Sequence, residues 1–285
     1  GKSTLVNALV GKKIVITSHH PNTTRNPIRG IISKPDFQMI LVDTPGVHKP
    51  KTLLGSRLNE MVTENLESVD AALICLPVDE PIGAGDEYIT KQLSKVSQIF
   101  LAVTKVDKAT KQEVLMSKLA EVAAFVEKAG LTVREIVPVS AKREEQTDLL
   151  LQLLSTALPD SPSLYPEDIS TDQAFELTIS ELIREAAIEE LYEELPHSVV
   201  VTIDEFEKRE GKNFYDIHVT LHVERDSQKS IIIGQQGARL KSIGSKARAN
   251  IENFLGGKIF LGIHVKVSKE WQRDPKALAR LGFIE

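Results

Sequence analysis

The sequence predicts an α/β domain on a mainly parallel sheet, joined to a smaller α+β domain. Three observations carry this. The first 140 residues alternate short β-branched apolar runs with amphipathic helical patterns, the grammar of a parallel sheet covered on both faces. Beyond a proline-bearing segment the pattern changes to one helix followed by two long alternating strands. The charge also changes sign. The 285-residue chain has a net charge of −5, yet Arg225–Glu285 holds 12 Lys and Arg against 5 Asp and Glu.

Taken in order, Gly1-Lys2-Ser3-Thr4 with Leu5, Val6, Ala8 and Leu9 opens a helix. Strands are predicted at Ile28–Ser33, Phe37–Val42, Ala71–Pro77, Ile99–Val103 and Glu135–Val139. Between the last two, Gln112–Lys128 places Val114, Leu115, Leu119, Val122, Phe125 and Val126 on one helical face. A final helix, about Glu145–Leu158, stops before Pro159, closing a first domain at 1–158. Residues 159–171, with three prolines and little apolar content, read as a linker. The second domain, 172–285, starts with a helix Asp172–Leu195. Strands Val199–Lys208 and Phe214–Glu224 follow, turning at Gly211, then a helix, a glycine loop, a helix to about Leu255 and a strand Lys258–Val267. No internal repeat relates the two halves.

Apolar residues at 41% and charged residues at 26% exclude collagen-like, coiled-coil and disordered classes. No run reaches the roughly 18 apolar residues of a membrane-spanning helix. The single cysteine, Cys75, lies in an apolar run and fits a reduced, cytosolic protein, and no signal peptide is seen. The chain starts at Gly1 inside a motif, so the expectation is an N-terminally incomplete domain lacking its first strand and half a loop. The basic C-terminal fifth points to a polyanionic partner, with a solvated basic face as the plain alternative.

Four segments converge on phosphate and base chemistry. Gly1-Lys2-Ser3-Thr4 is the second half of a P-loop: helix N–H groups and Lys2 meet phosphate, and the Ser3 hydroxyl suits magnesium. Asp43-Thr44-Pro45-Gly46 ends a buried strand, where ligands of doubly wound sheets sit. There Asp43 would reach magnesium and the Gly46 N–H the terminal phosphate, with Val47 next to it. Thr104-Lys105-Val106-Asp107 also follows a strand. A carboxylate at Asp107 accepts from two N–H donors on one edge of guanine, a pair that adenine lacks, while Lys105 lays its apolar stem along the base. Ser140-Ala141-Lys142 ends the last strand, its backbone directed at guanine O6.

In this order the four segments resemble the Era branch of the translation-factor-related GTPases. Pro21-Asn22-Thr23-Thr24-Arg25-Asn26-Pro27-Ile28-Arg29-Gly30-Ile31 resembles that branch's switch I, whose magnesium-binding threonine falls on Thr23 or, as we favour, Thr24. The resemblance implies a GTP hydrolase with GTP or GDP, Mg2+ held by Ser3, Thr24 and Asp43, and a monovalent cation. Lys2, Thr24 and Gly46 would serve hydrolysis. The family usually has Asn at Thr104, so one contact to base N7 is altered. Val47 stands where Ras-like proteins place a water-orienting Gln, so intrinsic turnover is expected to be slow. His48 beside it reads as an exposed loop histidine rather than a base.

In the second domain, Ile231-Ile232-Ile233-Gly234-Gln235-Gln236-Gly237-Ala238-Arg239 sets a Gly-x-x-Gly loop between two helices, the second bearing Arg239, Lys241, Lys246 and Arg248. This resembles a type II KH domain, whose groove clamps about four nucleotides. Gln235 and Gln236 stand where such loops usually carry Lys and Gly. Trp271, in a tail that also resembles Era, is read as a core residue, and Leu278, Leu281 and Phe283 as a short docking helix. The whole-chain resemblance implies binding of the 3′ end of small-subunit rRNA and a role in small ribosomal subunit assembly. It further implies a cytoplasmic monomer with a peripheral inner-membrane fraction. The rival reading is an RNA-binding module whose GTPase domain is nucleotide-insensitive; a tRNA-modification GTPase is disfavoured, since nothing C-terminal resembles its partner domains.

Overall fold

A computed structural model describes residues 1–18, 23–47, 50–93, 96–191 and 195–283. The chain divides into two compact units: residues 1–15, 24–49 and 58–172, and residues 16–23, 50–57 and 173–285. Pro21, Asn22 and His48, singled out above, lie outside the described residues.

In the first unit α1 (Lys2–Val10) precedes β1 (Ile28–Lys34) and β2 (Phe37–Asp43). Then come α2 (Leu53–Leu66), of which residues 58–66 belong to this unit, β3 (Ala72–Pro77), α3 (Ala84–Gln92), β4 (Ile99–Thr104), α4 (Gln112–Ala129), β5 (Val133–Pro138) and α5 (Thr147–Ser155). Strands β3, β4 and β5 pair in that order and parallel. The β1–β2 pair is antiparallel, because only Pro35 and Asp36 separate the strands and a parallel return needs a dozen residues or more. Every residue of β4 is buried, and its side chains alternate between two cores. Phe100 and Ala102 join Leu5, Leu9 and Leu150, while Ile99, Leu101 and Val103 join Leu76, Val122 and Phe125. A strand without a polar side is what a doubly covered sheet requires. Gly30 lets β1 approach α1: a Cβ there would lie 2.8 Å from both Ile14 and Val10.

The segment read as a linker is pinned to the first two strands. The Gln38 carboxamide accepts from the N–H groups of Leu164 (2.8 Å) and Tyr165 (2.9 Å) and donates to the Tyr165 carbonyl (2.8 Å). The Ile31 N–H donates to the Ser170 carbonyl at 2.8 Å. A proline-rich stretch has few internal hydrogen bonds to offer, so its carbonyls and N–H groups are met by the strands instead.

The second unit holds α6 (Phe175–Glu189), α7 (Leu195–Ser198), β6 (Val200–Lys208), β7 (Phe214–Val223), α8 (Asp226–Ile233), α9 (Ala238–Leu255), β8 (Lys258–Val267) and α10 (Pro275–Arg280). The predicted helix Asp172–Leu195 is shorter, since Ala174 is the N-cap and the last turn closes at Glu190. Strand β7 pairs antiparallel with β6 and parallel with β8, the α8–α9 crossover supplying the parallel return. Ile179 and Ile183 of α6, Ile243, Ala247 and Ile251 of α9, and Ile217, Val219 and Leu221 of β7 form one apolar core. Trp271 is fully buried, donates to the Ser198 carbonyl at 3.1 Å and stacks on Phe283, as the core reading expects. Asp274 caps α10 by accepting from the Lys276 N–H at 3.0 Å, and Leu278 and Leu281 are buried. Among the described residues no helix is long and apolar enough to cross a membrane.

Candidate nucleotide and nucleic-acid sites

In the first unit the predicted magnesium ligands converge. The Ser3 hydroxyl donates to Asp43 Oδ2 at 2.8 Å, Thr24 Oγ1 donates to the same oxygen at 2.8 Å, and the two hydroxyls are 3.0 Å apart. Three elements position them: Ser3 in the first turn of α1, Asp43 at the carboxyl end of β2, and Thr24 ahead of β1. Thr24 and Asp43 are buried, and Asp43 Oδ1 has no hydrogen-bond partner. Burial pushes the Asp43 carboxyl above its ordinary range, against the pull of Thr24, Lys2 and Ser3. An orphaned carboxylate oxygen beside two hydroxyls is an all-oxygen donor set, which fits Mg2+. Thr23 is not part of this cluster. Its hydroxyl meets Ser18 at 2.6 Å, so of the two candidate threonines it is Thr24, the one favoured from the sequence, that bonds Asp43.

Gly1 caps α1 without any side-chain bond, so the first N–H groups of the helix remain available to an anion. Thr4 is exposed, and with Ala8 and Ala141 it borders an open cleft of about 320 Å³. Thr44, Pro45, Gly46 and Val47 follow β2 without regular structure. Burial pushes the Cys75 thiol up to about 11, consistent with an unreactive cysteine.

The base-reading segments also meet. Ser140, fully buried, donates from its hydroxyl to Asp107 Oδ1 at 2.6 Å and holds that carboxyl below its usual range. The carboxylate is thus fixed in place by the buried serine. Ala141 and Lys142 continue from Ser140, and Val106 donates its N–H to the Val139 carbonyl at 3.3 Å. Thr104 is buried with an unpartnered hydroxyl, and a Cβ on Gly1 would lie 3.4 Å from that oxygen. The residue in the family's Asn position therefore faces the phosphate loop. Lys105 takes a left-handed backbone (φ 59°, ψ 34°), and its ammonium is bound by Glu80 at 2.6 Å and Asp79 at 3.2 Å. The sequence reading missed these two acids. Their position just past the carboxyl end of β3, in line with Asp43 and Asp107, was the signal.

In the second unit Gly234 (φ 71°, ψ 176°) ends α8 and Gly237 (φ 78°, ψ 8°) starts α9. Gln235 and Gln236 between them are exposed side chains at the loop tip. Gln236 adopts φ 50°, ψ 28°, a conformation in which glycine costs nothing, which explains why such loops favour glycine there. Arg239 donates to the Ile231 carbonyl at 2.7 Å and so clamps the loop shut. Lys241 and Arg248, seven residues apart on α9, are exposed on one stripe. Lys246 is turned toward α6, 2.5 Å from Glu190. Also on α6, buried Arg184 pairs with Glu181 and donates to the Thr23 carbonyl at 2.5 Å, and Glu185 accepts from the Thr17 N–H at 2.9 Å.

Two family models match the chain, a "50S ribosome-binding GTPase" over residues 1–115 and a "KH domain" over residues 194–272. The chain is 51% identical over 288 residues to GTPase Era of Mycobacterium tuberculosis, covering 99% of this chain and 94% of that protein. It is 49% identical over 292 residues to GTPase Era of a Nocardioides species, covering 99% and 92%. It also resembles a crystal structure of Era in complex with MgGDPNP and nucleotides 1506–1542 of 16S ribosomal RNA. That match has a TM-score of 0.94 and 33% identity, over 100% of this chain and 95% of the other. A variant of Aquifex aeolicus Era bound to GDP·AlF4− matches with a TM-score of 0.93 and 32% identity, over 100% and 95%.

Proposed function

This chain belongs to the Era family of GTPases, and from that premise we propose that it hydrolyses magnesium-bound GTP and grips the 3′ end of small-subunit rRNA during small ribosomal subunit assembly. The observation that carries the proposal is the meeting of the Ser3 and Thr24 hydroxyls on Asp43 Oδ2, which leaves Oδ1 of the same buried carboxylate orphaned, together with the Ser140–Asp107 pair beyond the carboxyl ends of β5 and β4. We assign residues 1–158 to nucleotide chemistry, 159–171 to a tethered linker and 172–285 to RNA.

Ser3, Thr24 and Asp43 would hold the magnesium, which when bound neutralises charge on the phosphate oxygens. Lys2 adds a positive charge at the helix N-terminus, and the Gly46 N–H would meet the terminal phosphate. Gly1, Thr4, Thr44, Pro45 and Val47 line the phosphate side. Thr104, Lys105, Val106, Asp107, Ser140, Ala141 and Lys142 take the base, with guanine chosen by the Asp107 carboxylate. Val47 offers no group to polarise water, so turnover is slow without assistance, for which a monovalent cation is the family's means. Gly234, Gln235, Gln236 and Gly237, with Arg239, Lys241, Lys246 and Arg248, form the RNA side. Monomeric state, cytoplasmic location and a peripheral inner-membrane contact belong to the same reading and rest on the resemblance alone.

The two activities are joined along the chain. Thr23 is held by Arg184 and Thr24 by Asp43, and one peptide bond links them. We therefore expect the γ-phosphate, by ordering residues 23–29 and 46–54, to change RNA affinity. The test is turnover of GTP against ATP with and without Mg2+, together with binding of a single-stranded RNA of the small-subunit 3′ end. Magnesium-dependent hydrolysis of GTP alone and RNA binding support the assignment. RNA binding with no GTP turnover favours the nucleotide-insensitive rival.

A further inference from the structure

We propose that Asp79 and Glu80 are positioning residues for guanine recognition, acting through Lys105. The inference rests on the assignment of residues 104–107 to the base, and starts from a strained residue. Lys105 holds a left-handed backbone at φ 59°, ψ 34°, which costs a non-glycine residue about 1 kcal/mol or more. Such conformations persist where the surroundings over-determine them, and they gather at functional sites.

The surroundings are the loop after β3. The Lys105 ammonium donates to Glu80 Oε1 at 2.6 Å and lies 3.2 Å from Asp79 Oδ1, while the other Asp79 oxygen takes Lys108. Both ends of the turn 105–108 are therefore tied to one carboxylate. The loop is itself anchored. Lys118, buried on α4, donates to the Glu80 carbonyl at 2.7 Å and to Glu121 Oε2 at 3.0 Å, and Glu121 Oε1 accepts from the Ile82 N–H at 3.2 Å. Val78, just before the acids, donates its N–H to the Thr104 carbonyl at 2.9 Å. Two carboxylates on a fixed loop thus occupy the ammonium. That leaves the four-carbon stem of Lys105 as the part able to cover a purine face. Ser140 fixes Asp107 from the other side, so the reading loop is braced at both ends. An unbraced Lys105 would have to be ordered anew each time a nucleotide binds, and affinity would fall by that cost.

The test uses the full chain and measures affinity and release of a fluorescent GDP. Asp79→Asn combined with Glu80→Gln preserves shape and removes both charges. The expected result is about tenfold weaker GDP binding, the scale of one partly exposed charged hydrogen bond, with a faster off-rate. KM for GTP rises while kcat stays, because Thr24 and Asp43 are untouched. In a Lys105→Met background the same double substitution adds no further loss, and Glu80→Asp alone retains most of the affinity. Equal losses in both backgrounds, no loss in the wild-type background, or a fall in kcat at unchanged KM each overturns the proposal while leaving the base-site assignment intact. A wild-type chain that binds no GDP overturns both. Unaltered melting of the nucleotide-free double variant is required alongside a supporting result, and a lowered melting point with equal losses counts against it.

Discussion

Replacing Gly234 by Ala is a stringent test of the RNA loop. At φ 71°, ψ 176° the residue sits in a region that is essentially reserved for glycine, which costs any other residue about 1–3 kcal/mol. A Cβ there would also lie 2.8 Å from the Arg239 Cβ and 3.0 Å from its backbone nitrogen. Those atoms begin α9 and move only with the helix, adding an overpacking cost of about 1–3 kcal/mol. Gly237, at φ 78°, ψ 8°, has open space where a Cβ would stand. Gly237→Ala therefore costs only about 1 kcal/mol of left-handed backbone. Urea unfolding followed by Trp271 fluorescence reports the right unit, since Trp271 is the only tryptophan and is fully buried there. The expected order is a loss of about 3–4 kcal/mol for Gly234→Ala, three or more times that of Gly237→Ala, with RNA binding abolished only in the former. Equal losses in the two variants would refute the steric argument.

Asp107→Asn exchanges the acceptor that selects guanine for an amide whose donor faces the wrong way. GDP affinity should drop about 10- to 100-fold, as for one charged hydrogen bond, while xanthosine diphosphate gains; unchanged selectivity in competition binding contradicts the role. Gly30→Ala drives a methyl into Ile14 and Val10 and should cost the first unit about 1–3 kcal/mol by thermal melting; an unchanged melting point contradicts the packing argument. Burial, with help from Lys266 and Arg280, pulls the His222 pKa down to about 4. The unfolded chain takes up that proton near pH 6.5, so between 6.5 and about 4 it binds more protons than the native state, and stability falls as pH falls. His222→Gln should flatten that slope for the second unit in urea titrations at several pH values; identical slopes would remove His222 as the cause.

Most of the strands were legible because their signal is local. The fully buried β4 and the alternation of β7 announce themselves within ten residues, and three of the four nucleotide segments sit at a strand end where a doubly wound sheet puts ligands. What escaped was relational. Thr24 was favoured over Thr23 from the resemblance, but its bond to Asp43, 19 residues away, is not a local signal. The tethering of the 159–171 segment depends on Gln38, whose strand pattern gives no hint of a capping role. That Lys246 of the basic run pairs with Glu190, the residue closing α6 far earlier in the chain, was likewise not legible locally. The bracing of Lys105 by Asp79 and Glu80 was hidden in the same way, since a pair of acids after a strand resembles any solvated turn.

The measurement that bears most directly on the account is the affinity of the full chain for single-stranded small-subunit 3′-end RNA, taken once with GDP and once with a non-hydrolysable GTP analogue at equal salt. A nucleotide that orders the threonine next to the carbonyl gripped by Arg184 should shift that affinity about tenfold or more, the ordinary scale of coupling between two sites. Equal affinities in the two states would mean that the phosphate site and the glycine loop work independently, contrary to what is argued for this molecule.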